Sequence, residues 1–330
     1  SPMSRGLGDV YKRQALEGVT HVIASVPPGG DGDPVLNAHA GDLARSETLV
    51  WAGYLSTTGV YGDHGGAWVD ELSETRPTAE RSKRRLAAEM AWTEWGKAAG
   101  IPVQIFRLAG IYGPGRNALE RVQGGKAVRV LKPGHTVGRI HVDDIVRTVR
   151  AGMAAPGAGP VFNLADDEPA ANADVLAFAA DLLGVEPPPA VPFEQAEMTP
   201  MARSFYADNR RVSNQRIKSA LGISLMYPTY REGLRAQSWR ETSARLHAGF
   251  TASALACPAL NSGRVHGQQL LITLPGGCLR CLVAVGKFAD TPLEFPVDGA
   301  HGAGSPRICP ARLCQGKGDR REPVLHGCVV

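Results

Sequence analysis

Hydrophobic residues fall along this chain in short β-branched runs separated by longer stretches with helical spacing. Residues 18–26, GVTHVIASV, form one such run and stop at Pro27-Pro28-Gly29-Gly30, which predicts a strand and then a loop. Val35, Leu36, Ala38 and Leu43 are loosely spaced for a helix over 34–45. A second run enters at Leu49, Val50 and Trp51 and leads into YLSTTGVYG, residues 54–62, where Ser56, Thr57 and Thr58 stand before exits at Gly59 and Gly62. That pattern is a buried parallel strand ending in a polar turn. Residues 78–100 carry the strongest helical signal, with Pro77 before, Gly100 after, and Leu86, Ala87, Met90, Ala91, Trp95 and Ala98 along the expected buried face.

A strand over 103–108 follows and runs into a loop with Gly110, Gly113 and Gly115. Residues 118–123 form a short helix broken by Gly124-Gly125, and Val142, Ile145, Val146, Val149 and Met153 make a helical stripe over 143–153. Residues 161–164 are the last strand of the sheet, and a helix over 173–183 is stopped by Gly184. The proline-rich stretch 186–192 is a linker, and two short helices, 213–221 and 230–239, lie beyond it. Strands alternating with helices at this spacing imply right-handed crossovers and a parallel sheet, so the fold class is α/β.

From about Ser243 the periodicity fades, leaving one β-like run at 268–274. All six cysteines (Cys257, Cys278, Cys281, Cys309, Cys314 and Cys328) lie in this stretch, a partition that gives 244–330 a different character from the body. The expected division is 1–14 as a non-native segment, 15–243 as the folded domain and 244–330 as an irregular, read-through or disordered tail. The opening string SPMSRGLGDVYKRQ has no structural period and looks like a sequencing-adapter remnant of a metagenomic gene call. Cys278-x-x-Cys281 with Cys309 and Cys314 has four thiolates for zinc, but the spacing fits poorly and no metal is expected.

With 43% apolar and 21% charged residues the composition is that of a soluble globular protein, and no apolar run reaches the ~18 residues of a membrane span. A net charge of +4 with interspersed signs argues against a nucleic-acid partner. The default is a cytoplasmic protein acting on a small molecule, with no membrane partner.

Ligands of open α/β sheets sit at the carboxyl ends of the strands, so the hydroxyls of 56–58 are placed to face one. A turn that satisfies its own backbone is the other reading. YLSTTGVYG, then Glu89 on its helix, FRLAGIYGPGR at 106–116 and GRIHVDDIV at 138–146, in this order, resemble the extended and atypical short-chain dehydrogenase/reductases, the NAD(P)-dependent epimerase/dehydratase superfamily. The resemblance covers roughly 18–235. It implies an incomplete Rossmann-type doubly wound parallel sheet, with the family's first three strands missing, and a small C-terminal substrate lobe. The family's Gly-x-x-Gly-x-x-Gly turn, whose amides approach a pyrophosphate, has no match here. By the same count the strand at 20–25 is the family's fourth, left as an exposed edge through which the chain could self-associate.

The cofactor implied is NADP or NAD, a choice read at the end of the missing second strand. Thr57 stands where the family carries its catalytic Ser or Thr, bonded to the reacting oxygen. Ser56 lies on the opposite pleat face, as a structural neighbour or a cofactor contact. Ser25, Val26 and Pro27 lie where the chain passes the nicotinamide ribose, and Leu108, Gly110 and Ile111 where a loop packs on the nicotinamide. Aligning on Glu89 puts Arg81 at the family's catalytic Tyr and Arg85 at its Lys, the latter a cofactor contact, whereas aligning on Ser82-Lys83 puts Ala79 at the Tyr; either way the phenol is gone. Arginine holds its proton at neutral pH and does not replace the phenol. Arg81, Lys83, Arg84 and Arg85 are a solvated helix face or a phosphate-binding cluster. Arg116, Arg139 and His141 are expected at the substrate; Asp143 and Asp144 cap a helix.

Three functions follow: an NAD(P)-dependent epimerase/dehydratase-like oxidoreductase acting on a carbonyl or alcohol of a small or sugar-nucleotide-type substrate, impaired in this chain; a non-catalytic NAD(P)-binding or regulatory protein of the same fold; or a zinc-binding interaction tail on an inert body.

Overall fold

Arg107, a charge in the middle of the apolar strand VQIFRL, shows how this sheet is built, because it is buried and satisfied from the helix above it. In the computed structural model, residue 16, residues 18–238 and strand residues 264–265, 269–273 and 280–284 are described. The main sheet takes β1 (His21–Ala24), β2 (Trp51–Thr57), β4 (Val103–Leu108) and β8 (Val161–Leu164), all mutually parallel. Short parallel pairs join β3 (Trp68–Val69) to β10 (Arg211–Val212), β5 (Gly110–Tyr112) to β7 (Arg139–His141), and β6 (Arg129–Leu131) to β9 (Ala190–Pro192).

The period of two along β2 divides the core. Ala52 and Tyr54 face α1 (Pro34–Ala44) and α2 (Glu80–Ala99), joining Val22, Leu43, Trp92 and Ile105. Trp51 faces the other way, into a layer with Phe106, Phe162, Ile145 and Val149 of α4 (Val142–Ala154), and Ile217 of α7 (Gln215–Leu221). Burying each of these large side chains contributes roughly 1.5–3 kcal/mol. A third cluster, Tyr112, Leu119, Val175, Ala179, Tyr230 and Leu234, unites α3 (Ala118–Gln123), α5 (Asn172–Leu183) and the helical residues 230–238. Asp33 starts α1, its Oδ1 accepting from the amides of Val35 and Leu36 at 3.0 Å each.

The doubly wound α/β arrangement is as the pattern implied, but β1 is not an edge. β13 (Arg280–Ala284) lies parallel to it, His21 opposite Cys281 and Ala24 opposite Ala284. β12 (Gln269–Thr273) and β11 (Arg264–Val265) continue outward antiparallel, giving the order β11-β12-β13-β1-β2-β4-β8. The expected bare edge is thereby corrected: backbone from the Cys-containing stretch already pairs with that strand. Within 244–330 these three strands are described; the rest of that stretch, and segment 1–14, lie outside the described residues.

The buried face of α2 also differs from the expected stripe. Ser82, Ala88, Glu89, Trp92 and Gly96 point inward, while Met90 is 58% exposed. The sheet beneath presents Ser56 and Arg107, so polar positions turn inward to meet them.

Candidate functional site

Because β1, β2 and β4 are adjacent and parallel, Ser25 to Pro27, Thr57, and Leu108 to Ile111 emerge at one end of the sheet. Val26 and Leu108 are buried, Ser25 and Ile111 half-buried, and Pro27 and Gly110 exposed. Gly110 is fixed by its amide, which donates to Gly138 O at 3.0 Å.

Thr57 closes β2 and caps the 3-10 turn Thr58–Tyr61, its Oγ1 accepting from the Gly59 amide at 3.1 Å. A side chain at Gly59 would meet Ser82 Oγ at 2.8 Å and Thr57 Oγ1 at 3.3 Å, so the first turn of α2 lies directly against this one. Gly62 ends the turn at φ 68°, and a Cβ there would come within 1.8 Å of Arg76 O. Only glycine fits.

Behind the turn runs a buried polar chain. Ser56 Oγ donates to Glu89 Oε1 at 2.5 Å, and Arg107 holds the same carboxylate through Nη2 at 2.7 Å and Nε at 3.2 Å. Arg107 Nη1 donates to Tyr61 OH at 3.0 Å, and Tyr61 OH donates to Asn163 Oδ1 at 2.8 Å. Burial pulls the Arg107 guanidinium down, but Glu89 outweighs it and the net shift is upward. Ser56 is thus a support for the turn, correcting its expected place at the cofactor. Tyr61 is fully buried between Arg107 and Asn163, and burial raises its pKa.

Arg85 Nη1 donates to Val26 O at 3.1 Å, Leu55 O at 3.2 Å and Tyr54 OH at 2.9 Å. It ties the ends of β1 and β2 together, beside the residues expected at the nicotinamide. Burial pushes the Tyr54 phenol up to about 12 despite that arginine.

Arg139 and His141 do not reach a substrate surface, which corrects their expected role. Arg139 is 7% exposed and donates to Val137 O, Ala170 O and Asn172 Oδ1. His141 is 1% exposed, accepts from the Asp143 amide through Nδ1, meets Gln237 through Nε2 and packs between Tyr112 and Tyr227. His141 therefore caps α4, and Asp144 accepts from the Met226 and Tyr227 amides at 2.7 and 3.0 Å. Arg116 stays exposed where the Gly113–Arg116 loop turns. Asp166, 1% exposed, lies by Arg139, and burial pushes its carboxyl up to about 8 against that cation's pull.

Several residues here escaped the sequence reading. Asn209 clasps three segments: its amide donates to Asp63 Oδ1, its carbonyl accepts from His64 and Gly66, and its side chain bonds Gly134 O and the Thr136 amide. Arg210 Nη1 donates to Gly62 O at 2.8 Å and Asp208 accepts from Thr78 at 2.8 Å. Nothing in local spacing marks these; the buried charge of Arg107 was the one readable signal, since it demands a partner. A cavity of about 390 Å³ beside β3 and β10, lined by Trp68, Val69, Asp70, Ser73, Ser213 and Gln215, holds no expected site residue. Among the described residues no group of three or more His, Cys, Asp or Glu could hold a metal ion, and no helix is long and apolar enough to cross a membrane.

The NAD dependent epimerase/dehydratase family model matches residues 42–165, which include Thr57, Glu89, Arg107 and the glycine loop. A structure of a functionally unknown conserved protein from Silicibacter pomeroyi is 50% identical, with 68% of this chain and 79% of that one covered and a TM-score of 0.64. Residues 42–165 of this chain belong to the NAD-dependent epimerase/dehydratase family. Protein YeeZ of Escherichia coli K12 is 31% identical over 188 residues, 57% of this chain and 62% of YeeZ, so the chain spans less than two thirds of that family relative. UDP-glucuronic acid 4-epimerase from Bacillus cereus in complex with NAD shares the epimerase/dehydratase fold at 18% identity and a TM-score of 0.55, over 70% of this chain and 77% of its own.

Proposed function

We propose that this chain is an NAD(P)-dependent oxidoreductase of the epimerase/dehydratase type, with Thr57 holding the reacting oxygen of a carbonyl or alcohol. The orientation of the Thr57 hydroxyl carries this reading. Its oxygen accepts from the Gly59 amide, so its own proton is left to donate outward at the carboxyl end of the central strand. Ser25, Val26, Pro27, Leu108, Gly110 and Ile111 would hold the nicotinamide end of NADP or NAD: a buried apolar floor, Val26 and Leu108, with exposed backbone beside it, fits a flat ring. Arg85 fixes the spacing of that floor. The cofactor, when bound, supplies or accepts hydride at its nicotinamide C4. Arg116 would contact a small or sugar-nucleotide-type substrate, the class to which the UDP-glucuronic acid of the Bacillus cereus 4-epimerase belongs.

No phenol in this site exchanges protons at neutral pH. Burial raises the pKa of Tyr54, Tyr61 and Tyr112. This favours a second reading, a protein of the same fold that binds NAD(P) without turning it over. Oxidation of NADPH and NADH by carbonyl compounds separates the two. Under the first reading Thr57→Val lowers turnover about 10-fold or more with cofactor affinity kept. Unchanged turnover in that variant moves the site elsewhere, and tight cofactor binding with no turnover under any condition favours the second.

A further inference from the structure

Arg81 is one helical turn before Arg85 on the same face of α2, in the helix's first turn. Its neighbour Ser82 touches the turn that carries Thr57, at Gly59. The Arg81 guanidinium sits 4.4 Å from the centre of the Phe205 ring, and Phe205 is 59% exposed. The hydrogen bond from Thr78 to Asp208 holds the segment bearing Phe205 against the start of the helix. Among the described residues Arg81 makes no ion pair and no hydrogen bond, whereas its neighbour Lys83 is paired with Glu80 at 2.8 Å. An aromatic face orients a guanidinium without neutralising it, so its donor fork stays available.

We propose that Arg81 and Phe205 form a clamp for an anionic group on the substrate, so that the site takes carbonyl compounds bearing a carboxylate or a phosphate ester. This rests on the reading of Thr57 as the residue that meets the reacting oxygen. The guanidinium receives the anion bidentately, the ring covers the substrate's adjoining surface, and the carbonyl reaches inward to Thr57. Arg81 thereby binds and orients, which explains a fixed cation at a position where it has no proton to give.

The test is ligand-observed NMR titration of the full chain, with and without NADPH, using benzoate, phenyl phosphate and their uncharged relative benzamide. The clamp requires that at least one anion bind about tenfold more tightly than benzamide. That preference should fall to about twofold or less in Arg81→Gln and persist in Arg84→Gln, an exposed neighbour on the same helix. Whichever of benzoate and phenyl phosphate binds more tightly identifies the anion. Equal binding of all three probes overturns the clamp, as does a preference that survives in Arg81→Gln or is lost equally in Arg84→Gln. Circular dichroism of these surface variants confirms that they fold. NADPH oxidation by benzaldehyde as fast as by 4-carboxybenzaldehyde would sink the clamp and leave hydride transfer standing. Anion preference without any NADPH oxidation would do the reverse.

Discussion

Replacing Glu89 by Gln keeps the shape of the side chain and removes its charge, leaving the Arg107 guanidinium uncompensated. Both side chains are under a tenth exposed, and the carboxylate takes three guanidinium bonds of 2.7–3.2 Å besides the 2.5 Å bond from Ser56. Removing one partner of so buried a pair costs about 3–5 kcal/mol, because the desolvated charge left behind outweighs the attraction lost. Against a domain stability of about 5–15 kcal/mol that is a large share. Ser56→Ala deletes one hydrogen bond to a charged group and should cost about 1.5–3 kcal/mol. Glu89→Leu combined with Arg107→Met removes both charges and should recover most of the loss, though Ser56 then loses its acceptor. Urea unfolding followed by the fluorescence of the buried Trp51 and Trp92 reads each difference at constant slope. A Glu89→Gln variant within about 1 kcal/mol of the parent would refute this account, as would a double variant no more stable than the single one.

Two further outcomes are expected. Asp166 titrates near 8 when folded and near 3.8 when unfolded, so the unfolded chain releases its proton first. Its contribution is complete below about pH 4 and lost as pH rises toward 8, by at most about 1.4 kcal/mol per unit. Asp166→Asn should flatten this slope in urea titrations between those limits, and identical slopes in parent and variant would contradict the assignment. Deleting 244–330 removes β13 from beside β1 and bares the backbone of His21–Ala24, so size-exclusion chromatography should show association that grows with concentration. A monomeric deletion variant that unfolds cooperatively would show that β13 protects nothing.

The strands of the central sheet were legible because each is a short apolar run cut off by glycine or proline: 103–108 and 161–164 were read to the residue. The strand ending in a polar turn at 51–61 was legible too, from an apolar run followed by three hydroxyls and a glycine. The inward face of α2 was not. Hydrophobicity alone turns Met90 inward, yet the pairing of Glu89 with Arg107 sets the helix rotation, and that pairing joins elements which periodicity treats separately. Arg139 and His141 look like substrate contacts because they follow a glycine loop. Only the fold shows Val137, Ala170 and Gln237 already using their polar atoms. Strand β13 escaped for a similar reason: a parallel partner can lie anywhere along the chain, and its own sequence names no neighbour.

Asn209 sets which parts of the molecule can open. Its five polar contacts rivet the loop after Thr57 and the segment around Gly134 to one another, so the inner margin of the lobe travels with the sheet as a single solid piece. At the outer rim Phe193 meets Tyr206 and Arg81 covers Phe205 through ring faces, beside single hydrogen bonds from Thr78 to Asp208 and from Lys132 to Tyr206 O. Ring faces slide over one another at small cost, whereas the rivet has to break bond by bond. Substitutions of the rim rings can therefore reshape that margin while the five contacts of Asn209 stay intact.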